Sequence, residues 1–503
     1  MATTQQRTIY TGTFIHCTDL SKTEILTNTS IGVDEHGKIA FITPVDTLSG
    51  TLKSHSWDPA EIRHFPPAPN SSKNISFFFP GFLDTHIHAS QHPNAGIFGK
   101  STLLSWLETY TFPLEYSLSD PRTAEAAYST CIHTTLAHGT TTAAYYATIS
   151  VESTDILARL CRELGQRAFV GRCAMDNADF QPSYYCDADA DTAIKASRES
   201  AESILAADPT GLVKPIITPR FALSCTEESL KGLASIAADL KIPIQTHISE
   251  NLDEVALVAR TFPGYSSYAH LYHNCGLLGP NTVLAHACHL SQEEVSLIHT
   301  TGSSISHCPA SNTSLGSGLC PVRELLDQGV KVGLGTDVSG GYSPSILVAA
   351  REAGAVSRLR TAPGVETGIH SLSGKSLITT IATTTDNESS ATTSEKQARD
   401  KLKLTVEETL YLATRGGAQC LGLEACVGGF EVGKEWDAQF IDLGAEIDAG
   451  YVLGGGSVGN VQVWKGMEWE ERLAKWVYQG DERNVKAVWV RGRMVVDKVA
   501  VRA

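Results

Sequence analysis

Short hydrophobic stretches of strand length alternate along most of this chain with longer stretches that have the apolar spacing of amphipathic helices. Such alternation is typical of a parallel sheet whose strands are connected by crossover helices. About eight strand-like stretches, the number that closes a TIM (β/α)8 barrel, lie at 77–88, 140–149, 168–175, 213–223, 243–248, 282–287, 303–307 and 331–336. The pattern therefore predicts an α/β barrel.

The segment before position 77 has shorter strand-like stretches at 8–16 and 31–41, and a turn at Glu35-His36-Gly37 interrupts the second. We expect a small β-rich flank there. Within the barrel region, Asp120 supplies an N-cap and Pro121 a first-turn residue for a helix predicted to run to Gly139.

Two histidines end the first predicted strand of the barrel. His86 and His88 stand two residues apart, and the period-two alternation of a strand turns both imidazoles to the same face. Two neutral imidazoles supply half of a tetrahedral or five-coordinate metal site, and a histidine-rich site without thiolates is typical of catalytic zinc. The alternative is a polar pair on the wet face of an edge strand.

Further candidate ligands stand at the ends of later strands. His247 ends the fifth predicted strand, with Glu250 three residues further on, and His286 ends the sixth. Asp337 follows the last predicted strand. Because TIM barrels carry their chemistry at the carboxyl ends of the strands, all of these side chains fall at one end of the predicted barrel. For each residue taken alone, a buried core histidine or a helix-capping aspartate is the alternative.

The composition narrows the class of protein. The chain has 503 residues, a formal net charge of −15, 42% hydrophobic and 19% charged residues. These values suit an enzyme with one large and one smaller domain, and the acidic charge argues against nucleic acid or an anionic membrane as a partner. The sequence shows no secretory signal and no apolar run of the roughly 20 residues that a bilayer helix needs, so we expect a cytoplasmic protein. Its twelve cysteines include no Cys-x-x-Cys pair, which argues against a disulfide scaffold.

Seven segments give the chain its resemblance to a known family: PGFLDTHIHASQ (80–91), LLSWLETYTFPLE (103–115), KPIITPRFALSC (214–225), QTHISENLDEV (245–255), VLAHACHLS (283–291), ISHCPASNTSLGSG (305–318) and GLGTDVSGGYS (333–343). On these segments the chain resembles the metal-dependent amidohydrolase superfamily, and within it the guanine deaminases. The C-terminal segments ATRGGAQCLGL and GFEVGKEWDA are similar to the family's return from the barrel to a small β domain.

The resemblance implies an α/β fold with two domains. A TIM (β/α)8 barrel of amidohydrolase type would span 80–432, and a small β-sandwich domain would be formed by 1–79 together with 433–503. A Ser- and Thr-rich insertion from about 361 to 401 lacks periodicity, and we interpret it as a mobile insertion, with an active-site lid as the alternative.

The resemblance also implies zinc-dependent hydrolytic deamination of guanine to xanthine and ammonia by a homodimer. In the implied mechanism a zinc hydroxide attacks C2 of the purine, Glu250 and Asp337 carry protons, and His286 hydrogen-bonds the hydroxide. The implied ligands of one zinc ion per chain are His86, His88, His247 and Asp337. The implied guanine contacts are Gln91, Arg220, Phe221, His247, Glu250 and Asp337.

Three alternatives concern the metal and the substrate. Two-metal amidohydrolases use a carboxylated lysine as a bridge, but Lys214 stands at the start of a strand, away from the ligands, which favours a single ion. A related deaminase acting on cytosine or S-adenosylhomocysteine would keep the ligands and differ at Gln91, Arg220 and Phe221. A non-catalytic scaffold on the same fold would be expected to lack some ligands, and the sequence retains all of them.

Overall fold

The computed structural model of the protein describes residues 5–66, 74–362, 397, 399–448 and 459–499. Most of the predicted insertion at 361–401 therefore lies outside the described residues. Within the described ranges, none of the helices combines the length and the apolar character that a membrane span requires. The described chain has a mixed α/β structure.

The described strands fall into three successive groups along the chain. The N-terminal group is β1 (Thr8–Asp19), β2 (Lys22–Val33), β3 (Ile39–Pro44), β4 (Arg63–Phe65) and β5 (Asn74–Pro80). The middle group is β6 (Phe82–His88), β7 (Thr140–Tyr146), β8 (Arg167–Gly171), β9 (Cys173–Ala174), β10 (Val213–Pro215), β11 (Thr218–Pro219), β12 (Ile244–Ile248), β13 (Thr282–His286), β14 (Ser304–His307) and β15 (Lys331–Leu334). The C-terminal group is β16 (Ala438–Ala445), β17 (Val485–Val490) and β18 (Arg493–Asp497).

Most helices lie between the strands of the middle group, as the periodicity predicts. The α-helices of the described residues are Leu48–Ser54, Leu103–Trp106, Phe112–Ser117, Pro121–Ala137, Val151–Leu164, Ala190–Ala207, Glu227–Leu240, Leu252–Thr261, Tyr268–Asn274, Gln292–Thr301, Pro309–Ser314, Val322–Asp327, Ile346–Leu359, Val406–Tyr411, Gly417–Cys420 and Trp469–Gln479. Single π-helical turns lie at Leu107–Thr111 and Leu412–Gly416, and short 3-10 segments lie at Val45–Thr47, Pro59–Glu61, Ala89–Asn94 and Ala222–Ser224.

The predicted helix that begins near Asp120 is confirmed. The Asp120 side chain accepts a hydrogen bond from Thr123 N at 3.0 Å, and Pro121 occupies the first turn, where its missing N–H costs no helical bond. The helix ends at Ala137, two residues before the predicted end. Gly139, with φ of +88°, then forms the turn that leads into β7.

The N-terminal and C-terminal groups form one sheet in the order β18-β17-β16-β5-β1-β2-β3, with β4 paired to β1. The two ends of the chain meet where β5 runs antiparallel to β16 and Phe78 lies opposite Phe440. Buried aromatic rings surround this junction, and the Phe78 ring stacks on Phe14 with 4.8 Å between centroids. The N-terminal and C-terminal segments thus share one sheet, and the described ladders do not divide it into the two sheets of a sandwich.

The middle group forms three parallel ladders within the described residues: β10-β8-β7-β6, β11-β9 and β12-β13-β14-β15. The prediction of one continuous strand at 168–175 and another at 213–223 is wrong. Each divides into two short strands, and a 3-10 turn replaces the end of the second. Each of the two short strands in the second stretch ends at a proline, Pro215 or Pro219, which has no backbone N–H to donate to a neighbouring strand.

Several backbone hydrogen bonds connect these ladders. Gln245 N donates to Ile217 O at 2.9 Å, between the second and third ladders. Asp337 N donates to His86 O, also at 2.9 Å, between the segment after β15 and the end of β6. The carboxyl ends of β6, β12, β13 and β15 therefore lie near one another.

Arg167, on β8, ties the parallel ladders to the C-terminal segment. The Arg167 Nη2 atom lies 2.5 Å from Glu435 Oε2 and 3.0 Å from Asp437 Oδ1, and only 4% of the arginine is exposed. A buried charge is tolerated only when it is paired and hydrogen-bonded. This ion-pair cluster therefore fixes the segment that leads into β16 against the ladders.

Candidate active site

Strained backbone marks the carboxyl ends of the strands in the middle group. Among the described residues, eight non-glycine residues have positive φ, and four of them follow or end these strands: Ser249, His286, Ala287 and Asp337. The φ is +76° at His286 and +47° at Asp337. Such conformations cost of the order of 1–3 kcal/mol each and occur mainly at functional sites. The surrounding structure therefore holds both side chains in fixed positions.

Four buried side chains converge at this end of the ladders. The ligand atoms of His86, His88, His247 and Asp337 all lie within 4.8 Å of one another. Asp337 Oδ1 lies 3.1 Å from His86 Nε2 and 3.4 Å from His88 Nε2, and His88 Nε2 lies 3.2 Å from His247 Nε2. Three imidazole nitrogens and one carboxylate oxygen at such spacing form a donor set for a catalytic metal ion.

The hydrogen bonds of His247 test whether this cluster suits a metal. His247 Nδ1 lies 2.6 Å from the carbonyl oxygen of Arg220. Because a carbonyl oxygen only accepts, Nδ1 carries the proton and Nε2 presents a lone pair to the cluster. Burial, reinforced by the neighbouring imidazoles, lowers the pKa of His88 and of His247 well below the usual value. Neutral imidazoles facing each other beside a carboxylate fit a cation among them.

Asp84 fixes the backbone on both sides of the cluster. Its carboxylate accepts hydrogen bonds from His86 N at 3.2 Å, Thr336 N at 3.1 Å and Thr336 Oγ1 at 2.5 Å. Burial raises the pKa of Asp84 to about 7, against the effect of the Thr336 hydrogen bonds. For Asp337, burial also favours the neutral form, but the interactions with the neighbouring histidines, His86 above all, outweigh it and lower the pKa. Asp337 is therefore ionised.

A second pair of buried groups lies beside the cluster. Glu250 Oε2 lies 3.4 Å from His286 Nε2, and Glu250 Oε1 accepts a hydrogen bond from Ser317 Oγ at 2.8 Å. His286 Nδ1 lies 2.8 Å from Asn312 Oδ1, and its Nε2 lies 3.7 Å from Asp337 Oδ2. Burial raises the pKa of Glu250 to about 7. A carboxyl group that titrates near neutral pH can both donate and accept a proton.

A cavity adjoins both groups of side chains. Its apolar wall is formed by Leu103, Trp106, Leu107, Phe221 and Leu315. Its polar side chains are His88, Gln91, Arg220, His247, Glu250, Glu254, His286 and Asp337. An apolar wall that faces convergent polar groups is typical of a site for a small organic molecule.

The structure brings the predicted site residues together. His86, His88, His247 and Asp337 form the cluster, and Gln91, Arg220, Phe221, Glu250 and His286 line the cavity beside it. Lys214, by contrast, is exposed on β10 and does not belong to the cluster.

A second possible donor set shares two members with the first. It consists of His86, His286, Cys308 and Asp337. Burial raises the pKa of the Cys308 thiol well above its usual value, and a thiol must lose its proton to bind a metal. The three-histidine set is therefore the better metal site.

Sequence reasoning missed several residues that support the site. Glu115, in the helix Phe112–Ser117, is fully buried and bonded to both Gln91 and Arg220. Tyr146 packs against His88 with 4.5 Å between ring centroids. Because Tyr146 ends β7, the rule that chemistry lies at strand ends could have found it. Glu115 stands in a helix, so that rule could not.

Comparisons with known proteins extend over nearly the whole chain. The amidohydrolase family profile matches residues 77–495. A probable guanine deaminase of Schizosaccharomyces pombe is 42% identical over 492 residues, which cover 97% of this chain and 83% of that protein. The guanine deaminase of Homo sapiens is 39% identical over 488 residues, which cover 97% and 96%. A crystal structure of guanine deaminase from C. acetobutylicum with bound guanine has a TM-score of 0.78 and 30% identity, and the match covers 97% of this chain and 99% of that one.

Proposed function

Since this chain belongs to the amidohydrolase family, we propose that it is an enzyme that hydrolyses guanine to xanthine and ammonia. The observation that carries the proposal is the convergence of three histidines and an aspartate beside a cavity that Gln91 and Arg220 line. The relatives reported above support guanine as the substrate. A pocket that offers arginine and glutamine donors suits the carbonyl edge of that base.

We propose that the metal is zinc, one ion per chain, held by His86, His88, His247 and Asp337. The neutral imidazoles and the single carboxylate of the cluster support this choice, because they are the usual ligands of catalytic zinc. When bound, zinc supplies a water nucleophile at neutral pH by lowering the pKa of that water from 15.7 towards about 7.

The protein's own residues would move the protons of the reaction. Glu250 would protonate ring N3 of guanine as water adds to C2, a role supported by its pKa near 7. Asp337 Oδ1 lies beside His86, whereas Oδ2 lies on the side of His286. One oxygen can therefore bind the metal and the other can exchange protons. Asp337 would take one proton from the attacking water and pass it to the amino group, which leaves as ammonia, and the second proton of that water would return to Glu250 as the C2 carbonyl forms. His286 would orient the water.

The substrate would be held by its edge and its face. At the edge of the base, Gln91 and Arg220 would donate to the purine carbonyl through N–H groups that are not bonded to Glu115. Phe221 would pack against the ring, with His247, Glu250 and Asp337 around the reacting carbon. The apolar wall would exclude bulk water from the reaction.

We also propose that the three parallel ladders are arcs of one (β/α)8 barrel at 80–432. The hydrogen bonds of Gln245 to Ile217 and of Asp337 to His86 across the gaps support this closure. The proposed small β-sandwich domain comprises 1–79 and 433–503, and the pairing of β5 with β16 supports it. A homodimer, which rests on the sequence resemblance, and a cytoplasmic location are further proposals.

A comparison of substrates tests the proposed function. Ammonia release by purified protein is measured with guanine, adenine, cytosine and S-adenosylhomocysteine side by side, and xanthine formation is followed in the guanine sample. We expect turnover of guanine and background rates with the other three, because a site built to hydrogen-bond one substrate commonly rejects an analogue without the partner by about 10⁴ or more. Preferred turnover of any other compound would refute guanine as the substrate.

A further inference from the structure

Glu115 lies behind the cavity wall and holds two side chains of that wall. It is fully buried, and its carboxylate accepts hydrogen bonds from Gln91 Nε2 at 2.9 Å and from Ser90 Oγ at 3.3 Å. It also accepts two from Arg220, from Nη1 at 2.6 Å and from Nη2 at 3.3 Å. The two oxygens of a carboxylate offer about four acceptor sites. Of these four hydrogen bonds three end on Oε1 and one on Oε2, and Glu115 contributes to the cavity through these partners.

The contacts of Gln91 fix which end of its amide faces which neighbour. Its Nε2 donates to Glu115 Oε1, and its Oε1 accepts a hydrogen bond from Ser339 N at 3.2 Å. A carboxylate only accepts and a backbone N–H only donates, so the reversed amide would face a like group at both ends. One N–H of the Gln91 amide is bonded to Glu115, and the second is therefore available to the cavity.

Arg220 is constrained in the same way. Its bidentate pair with Glu115 uses one N–H of Nη1 and one of Nη2, and the second N–H of Nη1 is directed to Met175 Sδ at 3.7 Å. This leaves the second N–H of Nη2 and the N–H of Nε. The arginine is 2% exposed, and the buried carboxylate balances its charge. The ion pair as a whole has no net charge, and it offers these two remaining N–H donors of Arg220 to the cavity.

We propose that Glu115 is a positioning residue that keeps this edge of the cavity a row of N–H donors and thereby selects a ring carbonyl over a ring amine. The inference rests on the proposed function, in which a purine carbonyl meets Arg220 and Gln91. An amine in that position would bring donors against donors and leave all of them buried without acceptors. Selectivity is thus set by a residue that does not touch the substrate.

The test compares guanine with 2,6-diaminopurine, which keeps the reacting 2-amino group and replaces the C6 carbonyl by an amine. In the Glu115→Gln variant, a neutral amide places an N–H against Gln91 or Arg220 whichever way it is turned. We expect kcat/KM for guanine to fall at least about tenfold, and the preference for guanine over 2,6-diaminopurine to fall at least about tenfold. The metal content of the variant should equal that of the unaltered enzyme.

An unchanged preference for guanine over 2,6-diaminopurine would overturn the role of Glu115 in selectivity. It would do so whether both substrates lose kcat/KM equally, which is what a purely structural role produces, or neither loses any. If Glu115→Gln does not fold, Glu115→Asp keeps the charge that balances Arg220 but shortens the reach to Gln91. It should retain the metal and lower the preference at least a few-fold, and an unchanged preference in it would equally refute the proposal. Failure of the unaltered enzyme to release ammonia from guanine would instead refute the proposed function.

Discussion

The carbonyl oxygen of Arg220 lies 2.6 Å from His247 Nδ1, so the backbone of the proposed substrate-binding arginine fixes the tautomer of a proposed metal ligand. The side chain of the same arginine pairs with Glu115 and lines the cavity. One residue thus serves the metal cluster through its main chain and the substrate through its side chain. Replacing the side chain should separate these two roles.

The Arg220→Gln variant is predicted to retain the metal and to use the substrate less efficiently. The bond to His247 comes from the main chain and survives, whereas the charge-assisted donors are lost. We expect kcat/KM for guanine to fall by about 10² or more. Elemental analysis and steady-state kinetics check this result. Arg360→Gln is the matched control, since Arg360 is also buried and paired, with Glu324, but does not line the cavity. Equal losses in both variants would contradict a substrate role for Arg220.

Elemental analysis of the purified protein should find close to one zinc per chain. The three-histidine cluster supplies ligands for one ion, and Lys214 is exposed and away from it. A chelator should abolish turnover and lower Tm, because a ligand bound only by the folded state stabilises it. Zinc added back should restore both. Two tightly bound ions per chain would contradict a mononuclear site.

Glu250→Gln is predicted to keep zinc and lower kcat by about 10² to 10⁴, the range for a general acid or base. Ser317 can still bond the amide, so the fold should survive. Glu294→Gln serves as the control, because Glu294 is a buried carboxylate that caps its own helix away from the cavity. It should alter stability and leave kcat nearly unchanged. Normal turnover by Glu250→Gln would exclude Glu250 as the proton carrier.

Arg167→Ala is predicted to destabilise the fold by about 3–5 kcal/mol, because it leaves Asp437 buried without its charge partner. Urea unfolding measures this loss. Arg198→Ala removes an ion pair with Asp239 whose side chains are 38% and 61% exposed. Exposed pairs contribute about 0.2–1 kcal/mol, so the control should change little. Similar effects of the two substitutions would argue against the buried cluster as a structural tie.

The strand-end rule located much of the candidate site from sequence, because strands of period two that end in His86, His88, His247 and His286 leave little freedom in side-chain placement. The same rule cannot find site residues whose side chains come from helices. Asn312, which contacts His286, comes from the helix Pro309–Ser314. Its placement depends on how that helix packs, and no local pattern encodes such packing.

The hydrophobic pattern also did not predict where a strand is divided. The stretch at 213–223 is mostly hydrophobic, which predicts one buried strand, but it forms two short strands, each of which ends at a proline, Pro215 or Pro219. The sequence shows which residues lack a backbone N–H, but it does not show which neighbouring strand would accept a hydrogen bond from it. The break matters for the site, because Arg220 and Phe221 follow it directly.

The left-handed backbone at Asp337 has a consequence for laboratory evolution of this protein. Asparagine and glycine adopt positive φ more readily than other residues, so either replacement at this position should relieve strain while removing the carboxylate. A selection for heat resistance of the metal-free protein would therefore enrich variants that fold better and no longer work. Stability and activity must be selected together here, because the strain that burdens the fold is what aims the side chain.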